Sequence, residues 1–132
     1  MARESPRHAA LTARMARALG AVLARECEVF SGDLQLGFLG TARYVHADAT
    51  VVCGPLQLQP GTKDVVENPK IVVEVLSPTT EQYDRGLKWD GYRQMPSLTD
   101  YLLVSQHALP ARGRRIMALS RSWPRRPRQI DR

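Results

Sequence analysis

Residues 68–78 decide the fold of this chain, and they read Asn-Pro-Lys-Ile-Val-Val-Glu-Val-Leu-Ser-Pro. The six residues Ile71–Leu76 form an aliphatic run that contains a single acid, Glu74, and a proline stands close to each end of the run. Short apolar runs bounded by turn-forming residues are typical of strands that are buried on both faces. We therefore predict a central, buried strand at residues 71–76.

The part of the chain before this strand predicts one helix and two stretches with strand character. Ser5-Pro6 is a typical helix start, with serine as the N-cap and proline at the first helical position. An apolar stripe extends the helix over about residues 8–24; its members are Leu11, Met15, Leu19, Val22 and Leu23. Residues 28–38, interrupted by Ser31-Gly32-Asp33, and residues 43–53 predict strands.

The part after the central strand predicts a second helix at about residues 81–95 and a last strand at residues 101–104. Gly86 and Gly91 each weaken that helix by roughly 1 kcal/mol relative to alanine, so tertiary contacts have to stabilise it. The predicted order is helix, strand, strand, strand, helix, strand. This order is typical of a domain of the α/β or α+β class.

The positive charge lies almost entirely at the C-terminal end. The net charge is +6, while residues 111–132 alone hold eight Arg and one Asp, which gives +7. Because this segment is rich in Arg and Pro and has no periodic apolar pattern, we predict a folded domain at residues 1–110 and a disordered or poorly packed tail at residues 111–132. A basic tail attracts nucleic acid or anionic membrane without selectivity, so its charge says little about function.

Composition excludes several classes of protein. The hydrophobic fraction of 43% is too high for a wholly disordered chain. No apolar run approaches the roughly 20 residues of a membrane helix. Cys27 and Cys53 have neither the number nor the spacing of a disulfide framework or a zinc site, so a cytoplasmic location is the default.

Two acids within predicted strands are the strongest candidates for a functional site. An unpaired buried carboxylate costs several kcal/mol, so Glu74 needs a cation, a donor network or a metal. The sequence alone is equally consistent with a structural ion pair and with a functional site at Glu74. Strand alternation places Asp48 on one face with His46 and Thr50. If the two strands pair, Asp48 and Glu74 converge on one spot, and two carboxylates with water are enough to hold Mg²⁺.

Lys88 lies 14 positions after Glu74, on the helix that follows the central strand. A helix that returns over the sheet could bring its ammonium to the carboxylates, where it would orient an attacking water or stabilise charge on a phosphate. A solvated helix lysine is the alternative. For His8, at the start of the first helix, we expect a surface capping role, with a position facing the site as the alternative. For Tyr92 we expect core packing, with contact to a phosphate backbone as the alternative.

Residues 44–106, together with the helix start Ser5-Pro6-Arg7-His8, resemble the Uma2 family, also called DUF820, of restriction-endonuclease-like proteins in the PD-(D/E)XK nuclease superfamily. The resemblance is carried by Tyr44-Val45-His46-Ala47-Asp48, Val51-Val52-Cys53-Gly54, residues 68–80, Tyr83-Asp84-Arg85-Gly86-Leu87-Lys88, residues 92–98 and Tyr101-Leu102-Leu103-Val104. The combination of Glu-Val-Leu-Ser-Pro with Tyr-Asp-Arg-Gly-x-Lys is specific.

The resemblance implies a restriction-endonuclease-like αβββαβ core with a mixed sheet flanked by helices. It also implies that Asp48 and Glu74 bind Mg²⁺, with Mn²⁺ as a second option, and that Asp48, Glu74 and Lys88 are the catalytic residues of an endonuclease that acts on DNA. The usual third motif residue falls two positions after Glu74, where this chain has Leu76. The lysine role therefore has to move to Lys88.

Three departures from the family pattern matter. Ala47 stands where proline commonly precedes the aspartate, the chain begins almost at the first core helix, and the strands expected after Val104 are replaced by the Arg/Pro-rich tail. We therefore expect a core that is truncated at both ends. The alternative function is a catalytically inactive relative that binds nucleic acid through its tail or self-associates, for example as a homodimer, through exposed sheet edges.

Overall fold

The structure is a computed structural model that describes residues 5–76, 84–109, 113–120 and 128–131, with side chains described over residues 5–76 and 86–106. Its elements are α1 (Pro6–Val22), β1 (Cys27–Ser31), β2 (Gln35–Gly37), β3 (Tyr44–His46), β4 (Ala49–Cys53), β5 (Val65–Val66), β6 (Ile71–Leu76), a π-helical turn (Asp84–Lys88), α2 (Trp89–Tyr92), β7 (Asp100–Leu109), β8 (Gly113–Ser120) and β9 (Arg128–Asp131). Residues 77–83, which include the predicted start of the second helix, lie outside the described residues.

Helix α1 begins where the sequence predicts it. Ser5 is the N-cap, and its Oγ accepts a hydrogen bond from the backbone N–H of His8 at 3.1 Å. Four members of the predicted stripe pack onto the sheet: Leu11, Met15, Leu19 and Leu23. Val22, the last helical residue, is instead 78% exposed. The helix is therefore amphipathic, as predicted, and no helix among the described residues is both long and apolar enough to cross a membrane.

Six strands form one mixed sheet in the order β1-β4-β6-β7-β8-β9. β6 and β7 run parallel, and the other neighbouring pairs are antiparallel. A parallel pair needs a crossover connection, and the segment that contains the π-helical turn and α2 provides it. All six residues of β6 are buried, which confirms the predicted central strand.

A small second sheet and α2 cover one face of the large sheet. The small sheet has the order β3-β2-β5. Tyr92 of α2 makes an edge-on ring contact with Phe38, at a centroid distance of 5.2 Å. Gly91 lies so close to the same ring that an added Cβ would come within 2.6 Å of its carbons. This close approach explains the glycine that weakens the helix, because the missing side chain lets α2 pack against Phe38.

The core is divided between the two faces of the large sheet. On the α1 face, Val51, Val73 and Val75 pack against Leu11 of the helix. On the α2 face, the buried side chains are Leu36, Phe38, Val45, Ala47, Val52, Val66, Val72, Leu76, Trp89, Tyr92, Met95, Leu98, Tyr101 and Leu103. Even-numbered residues of β6 thus face α2 and odd-numbered residues face α1, in agreement with strand alternation. Glu74 belongs to the α2 face.

The predicted tail is wrong for two segments. Residues 113–120 and 128–131 form β8 and β9, and β8 pairs with β7 from Asp100 opposite Ser120 to Leu109 opposite Gly113. The Arg/Pro composition concealed the short apolar run Ile116-Met117-Ala118-Leu119, which lies in β8. Pairing with β7 satisfies backbone groups that would otherwise stand open at a sheet edge. The remaining residues of the predicted tail lie outside the described part of the chain.

The interpretation of the cysteines also needs correction. Cys27 and Cys53 are directly opposite each other in the β1–β4 ladder, with their Cα atoms 3.9 Å apart, and a disulfide joins them. Their separation of 26 residues gave no sign of this, because the strand register brings them together. The cysteines therefore do not indicate a reducing cytoplasm.

Candidate active site

Asp48 lies between two strands and not inside one. The sequence predicted a single strand over residues 43–53, but β3 and β4 belong to different sheets, and Asp48 occupies the bend between them. The chain leaves the small sheet and enters the large one at this point, with Ala47 and Ala49 both buried on either side. The predicted alternation of faces along residues 44–52 therefore does not apply to Asp48.

The pairing of strands that the predicted site required is nevertheless present. β4 runs antiparallel to β6 with Ala49 opposite Val73, and Asp48 lies in the bend directly before this pair. The backbone N–H of Asp48 donates to Val73 O at 3.0 Å. Asp48 Oδ2 accepts a hydrogen bond from the N–H of Val75 at 2.7 Å. Asp48 is thus hydrogen-bonded to the backbone of Val73 and Val75, the two neighbours of Glu74 in β6.

Glu74 is a buried carboxylate beside a lysine. The residue is 4% exposed, and Lys88 Nζ donates to Glu74 Oε1 at 3.0 Å. The hydroxyl of Tyr92 approaches the same oxygen at 3.5 Å, a long contact. The Lys88 side chain is only 13% exposed, so this ion pair is shielded from water. The crossover does bring Lys88 back to the central strand, as the sequence suggested it could.

His8 takes the less favoured of the two positions that the sequence left open. It is 7% exposed, and its Nε2 lies 3.2 Å from Asp48 Oδ2. The expected surface role is wrong, because the start of α1 packs against the large sheet. The sequence held a signal: His8 stands three positions before Leu11 and seven before Met15, so the three share one helix face.

Two further side chains connect the start of α1 to the end of β6. Ser5 Oγ donates to Gln106 Oε1 at 3.2 Å, and Gln106 Nε2 donates to Leu76 O at 2.9 Å. Together with the contacts of His8 and Asp48, these bonds form a ring around the last residues of β6. Tyr92, with no exposed surface, packs in the core as predicted. His46 contacts Gly32 O through Nδ1 at 3.1 Å, and this contact lies outside the ring of hydrogen bonds around β6.

The chemistry of these groups fits a hard divalent cation. Mg²⁺ prefers oxygen ligands and is commonly held by one or two carboxylates with several waters. The contacts that described residues make with the Asp48 carboxylate all fall on Oδ2. On the face that carries Glu74, the buried Oγ1 of Thr50 has no hydrogen-bond partner among the described residues. No group of three or more His, Cys, Asp or Glu side chains in that part of the chain is arranged to hold a metal ion, so a cation would depend on the two acids and water.

Sequence comparison finds one protein family and two similar proteins that match this chain. The sequence model of the Uma2 family, whose description is "Putative restriction endonuclease", matches residues 1–129. Among similar proteins of Synechocystis sp., slr1290 is 42% identical over 80 residues, which cover 61% of this chain and 41% of the relative. A second, sll1609, is 30% identical over 103 residues, which cover 77% of this chain and 58% of the relative. The chain thus spans about half the length of these relatives.

A solved structure shows the same fold. The crystal structure of a "putative nuclease belonging to DUF820" from Anabaena variabilis matches with a TM-score of 0.73 over 99% of this chain and 70% of that chain, at 12% sequence identity. This confirms the predicted mixed α+β fold of the restriction-endonuclease type. At this identity the likeness concerns the fold and not the chemistry.

Proposed function

This chain belongs to the Uma2 family, and from this premise we propose that it is a Mg²⁺-dependent endonuclease that hydrolyses phosphodiester bonds in DNA. The observation that carries the proposal is the grouping around β6. Asp48 accepts a hydrogen bond from the N–H of Val75, the residue after Glu74, and the Lys88 ammonium lies 3.0 Å from the Glu74 carboxylate. Two acids and one lysine close to the same strand support a site that binds a cation and stabilises charge on a phosphate.

In the proposed mechanism, Asp48 and Glu74 hold Mg²⁺, or Mn²⁺ in its place, through carboxylate oxygens. When bound, the cation supplies activation of a water molecule and stabilisation of negative charge on the scissile phosphate. Lys88 positions the attacking water through its ammonium N–H groups, and deprotonation of that water by Lys88 would require the neutral amine; in the ion pair the ammonium fixes the side chain of Glu74. The burial of this pair strengthens each electrostatic interaction, because the local dielectric constant is lower than in bulk water.

A plasmid-nicking assay tests the proposal. We expect the protein to convert supercoiled plasmid to nicked circles with Mg²⁺, and EDTA to abolish the reaction. Asp48→Asn should remove the activity. Asp33→Asn is the matched control, because Asp33 is exposed and bonds only Ser31 among the described residues. Equal nicking by wild type and Asp48→Asn would assign the activity to a contaminant or to another site.

A second experiment tests whether DNA is the substrate. Double-stranded DNA, single-stranded DNA and RNA of one sequence are offered at equal nucleotide concentration under the same Mg²⁺ conditions. We expect cleavage of DNA. Cleavage of RNA alone would leave a metal-dependent phosphodiesterase but would refute DNA as its substrate.

A non-enzymatic function is supported by a separate observation. Leu76, buried in β6, occupies the usual third motif position, and residues 111–132 hold eight Arg. A relative without catalysis would bind nucleic acid through those charges. Its binding would persist in Asp48→Asn and would fall steeply with salt, as counterion release requires. Binding of this kind without any nicking would favour the inactive relative.

Assembly and location form the last part of the proposal. We propose a homodimer, supported by exposed apolar side chains close to the small sheet: Leu39, Tyr44, Leu56 and Leu58, each 40–46% exposed. Sedimentation equilibrium measures this directly, and a monomer at all concentrations would refute it. We also propose that the protein works in the cytoplasm. Trapping of thiols in intact cells tests this, because a reducing compartment should keep Cys27 and Cys53 in the thiol form.

A further inference from the structure

We propose that His8 is a positioning residue for the cation site: it fixes the carboxylate of Asp48 so that the second oxygen, Oδ1, is presented to a divalent cation. The inference rests on the proposed function, since it assumes that Asp48 is a metal ligand. It adds a residue on α1 to a site whose other members come from the β3–β4 bend, β6 and the crossover segment.

The first support is the convergence of two nitrogen atoms on one carboxylate oxygen. The N–H of Val75 donates to Asp48 Oδ2 at 2.7 Å, and His8 Nε2 lies 3.2 Å from the same atom. The backbone donor fixes where Oδ2 lies, and an N–H on His8 Nε2 would restrain rotation about the Cβ–Cγ bond. With Oδ2 occupied in this way, Oδ1 is the oxygen that no described residue contacts, and we assign it to the ligand.

The second support is the burial and anchoring of His8 itself. The residue is 7% exposed, and its backbone N–H is bonded to the cap residue Ser5. Ser5 in turn donates to Gln106, which donates to Leu76 O. The start of α1 is therefore tied to the end of β6, two residues beyond Glu74. An imidazole held at both its backbone and its ring is suited to orient a ligand, because groups that hydrogen-bond a metal ligand set its geometry and affinity.

The environment of Asp48 makes such a restraint useful. The Asp48 side chain is 23% exposed and lies in a bend, so strand pairing alone does not fix its rotamer. A carboxylate that turned freely would have to be ordered each time a cation bound, and this ordering lowers affinity. His8 removes that cost in advance.

The test measures Mn²⁺ binding by titration calorimetry, without any nucleic acid. His8→Leu removes the donor and should weaken Mn²⁺ binding by roughly 10–100-fold, the usual effect of losing a group that supports a metal ligand. His8→Gln places an amide N–H near the position of Nε2 and should remain within about threefold of wild type. His8→Asn is one methylene shorter, and we expect it to bind as weakly as His8→Leu. His46→Leu and His46→Gln are the matched controls.

The outcomes separate this inference from the proposed function. Wild-type affinity in His8→Leu, together with loss of binding in Asp48→Asn, would overturn the role of His8 and leave the metal site standing. An equal loss in His8→Gln and His8→Leu would also overturn it, because the donated hydrogen bond would then not be what matters. No Mn²⁺ binding by wild type would refute the metal site and this inference together. If His8→Leu does not fold by circular dichroism, the comparison of His8→Gln with His8→Asn decides the question.

Discussion

Removal of the Lys88 ammonium gives the most direct physical test of the site. The Glu74 and Lys88 side chains are 5% and 13% exposed, and their charged atoms lie 3.0 Å apart. At an effective dielectric constant of 20, two unit charges at this distance attract by about 5.5 kcal/mol before desolvation is counted. Breaking a buried pair by removing one partner costs about 3–5 kcal/mol. We therefore expect Lys88→Met to lose about that much of its free energy of unfolding, a large share of the 5–15 kcal/mol typical of a domain.

Urea denaturation of four proteins measures this effect. Lys88→Met should be strongly destabilised, while Glu74→Gln/Lys88→Met should recover most of the loss, because it leaves no buried charge. Lys63→Met, at an exposed position, is the control and should stay within about 0.5 kcal/mol of wild type. Millimolar Mg²⁺ should restore part of the stability of Lys88→Met by binding to the folded state. A loss below about 1 kcal/mol in Lys88→Met, or a double variant no more stable than the single one, would refute the reasoning.

Two other substitutions test the packing around the site. Gly91→Ala should destabilise the protein by about 1–3 kcal/mol, the usual cost of overpacking, because its Cβ would fall 2.6 Å from the Phe38 ring. Gly86→Ala, whose Cβ meets no atom within 4 Å, should be neutral or stabilising by up to about 1 kcal/mol. Equal changes in the free energy of unfolding of the two variants in urea would contradict this account. Thr50→Val should raise the free energy of unfolding by about 1 kcal/mol, because it removes a buried hydroxyl without a partner among the described residues. A clear loss of stability in thermal unfolding would show that this hydroxyl is hydrogen-bonded.

The sequence predicted best those elements whose pattern is local. The helix start at Ser5-Pro6 and the strand Ile71–Leu76 were found because a cap and an aliphatic run need no information from distant residues. The strand at residues 43–53 was predicted as one piece, since a change of sheet at Asp48 depends on which neighbours the two halves find. β8 was missed for the same reason: its partner β7 determines it, and the composition around it indicates disorder.

The candidate site was predicted in part. Glu74 was identified because a charge inside an aliphatic strand needs a local explanation, and the structure supplies one in Lys88. The strand alternation used to place Asp48 does not apply to it, because it lies in a bend, whereas the pairing of β4 with β6 is present. A surface role was favoured for His8 because it stands at the start of α1, although helix spacing puts it on the same face as Leu11 and Met15. That periodicity gives the face of the helix, but the contact with Asp48 depends on how α1 stacks on the sheet.

The bond between Cys27 and Cys53 has a consequence for every measurement of stability on this protein. It closes a loop of 26 residues that contains β2, β3 and Asp48. By the loop-entropy relation, closure of such a loop disfavours the unfolded chain by about 3.5 kcal/mol. Protein purified in air and protein kept with dithiothreitol would then differ in stability by an amount similar to that expected for the buried ion pair. A free energy of unfolding measured on the oxidised form applies to the protein in the cell only if its compartment keeps this disulfide oxidised.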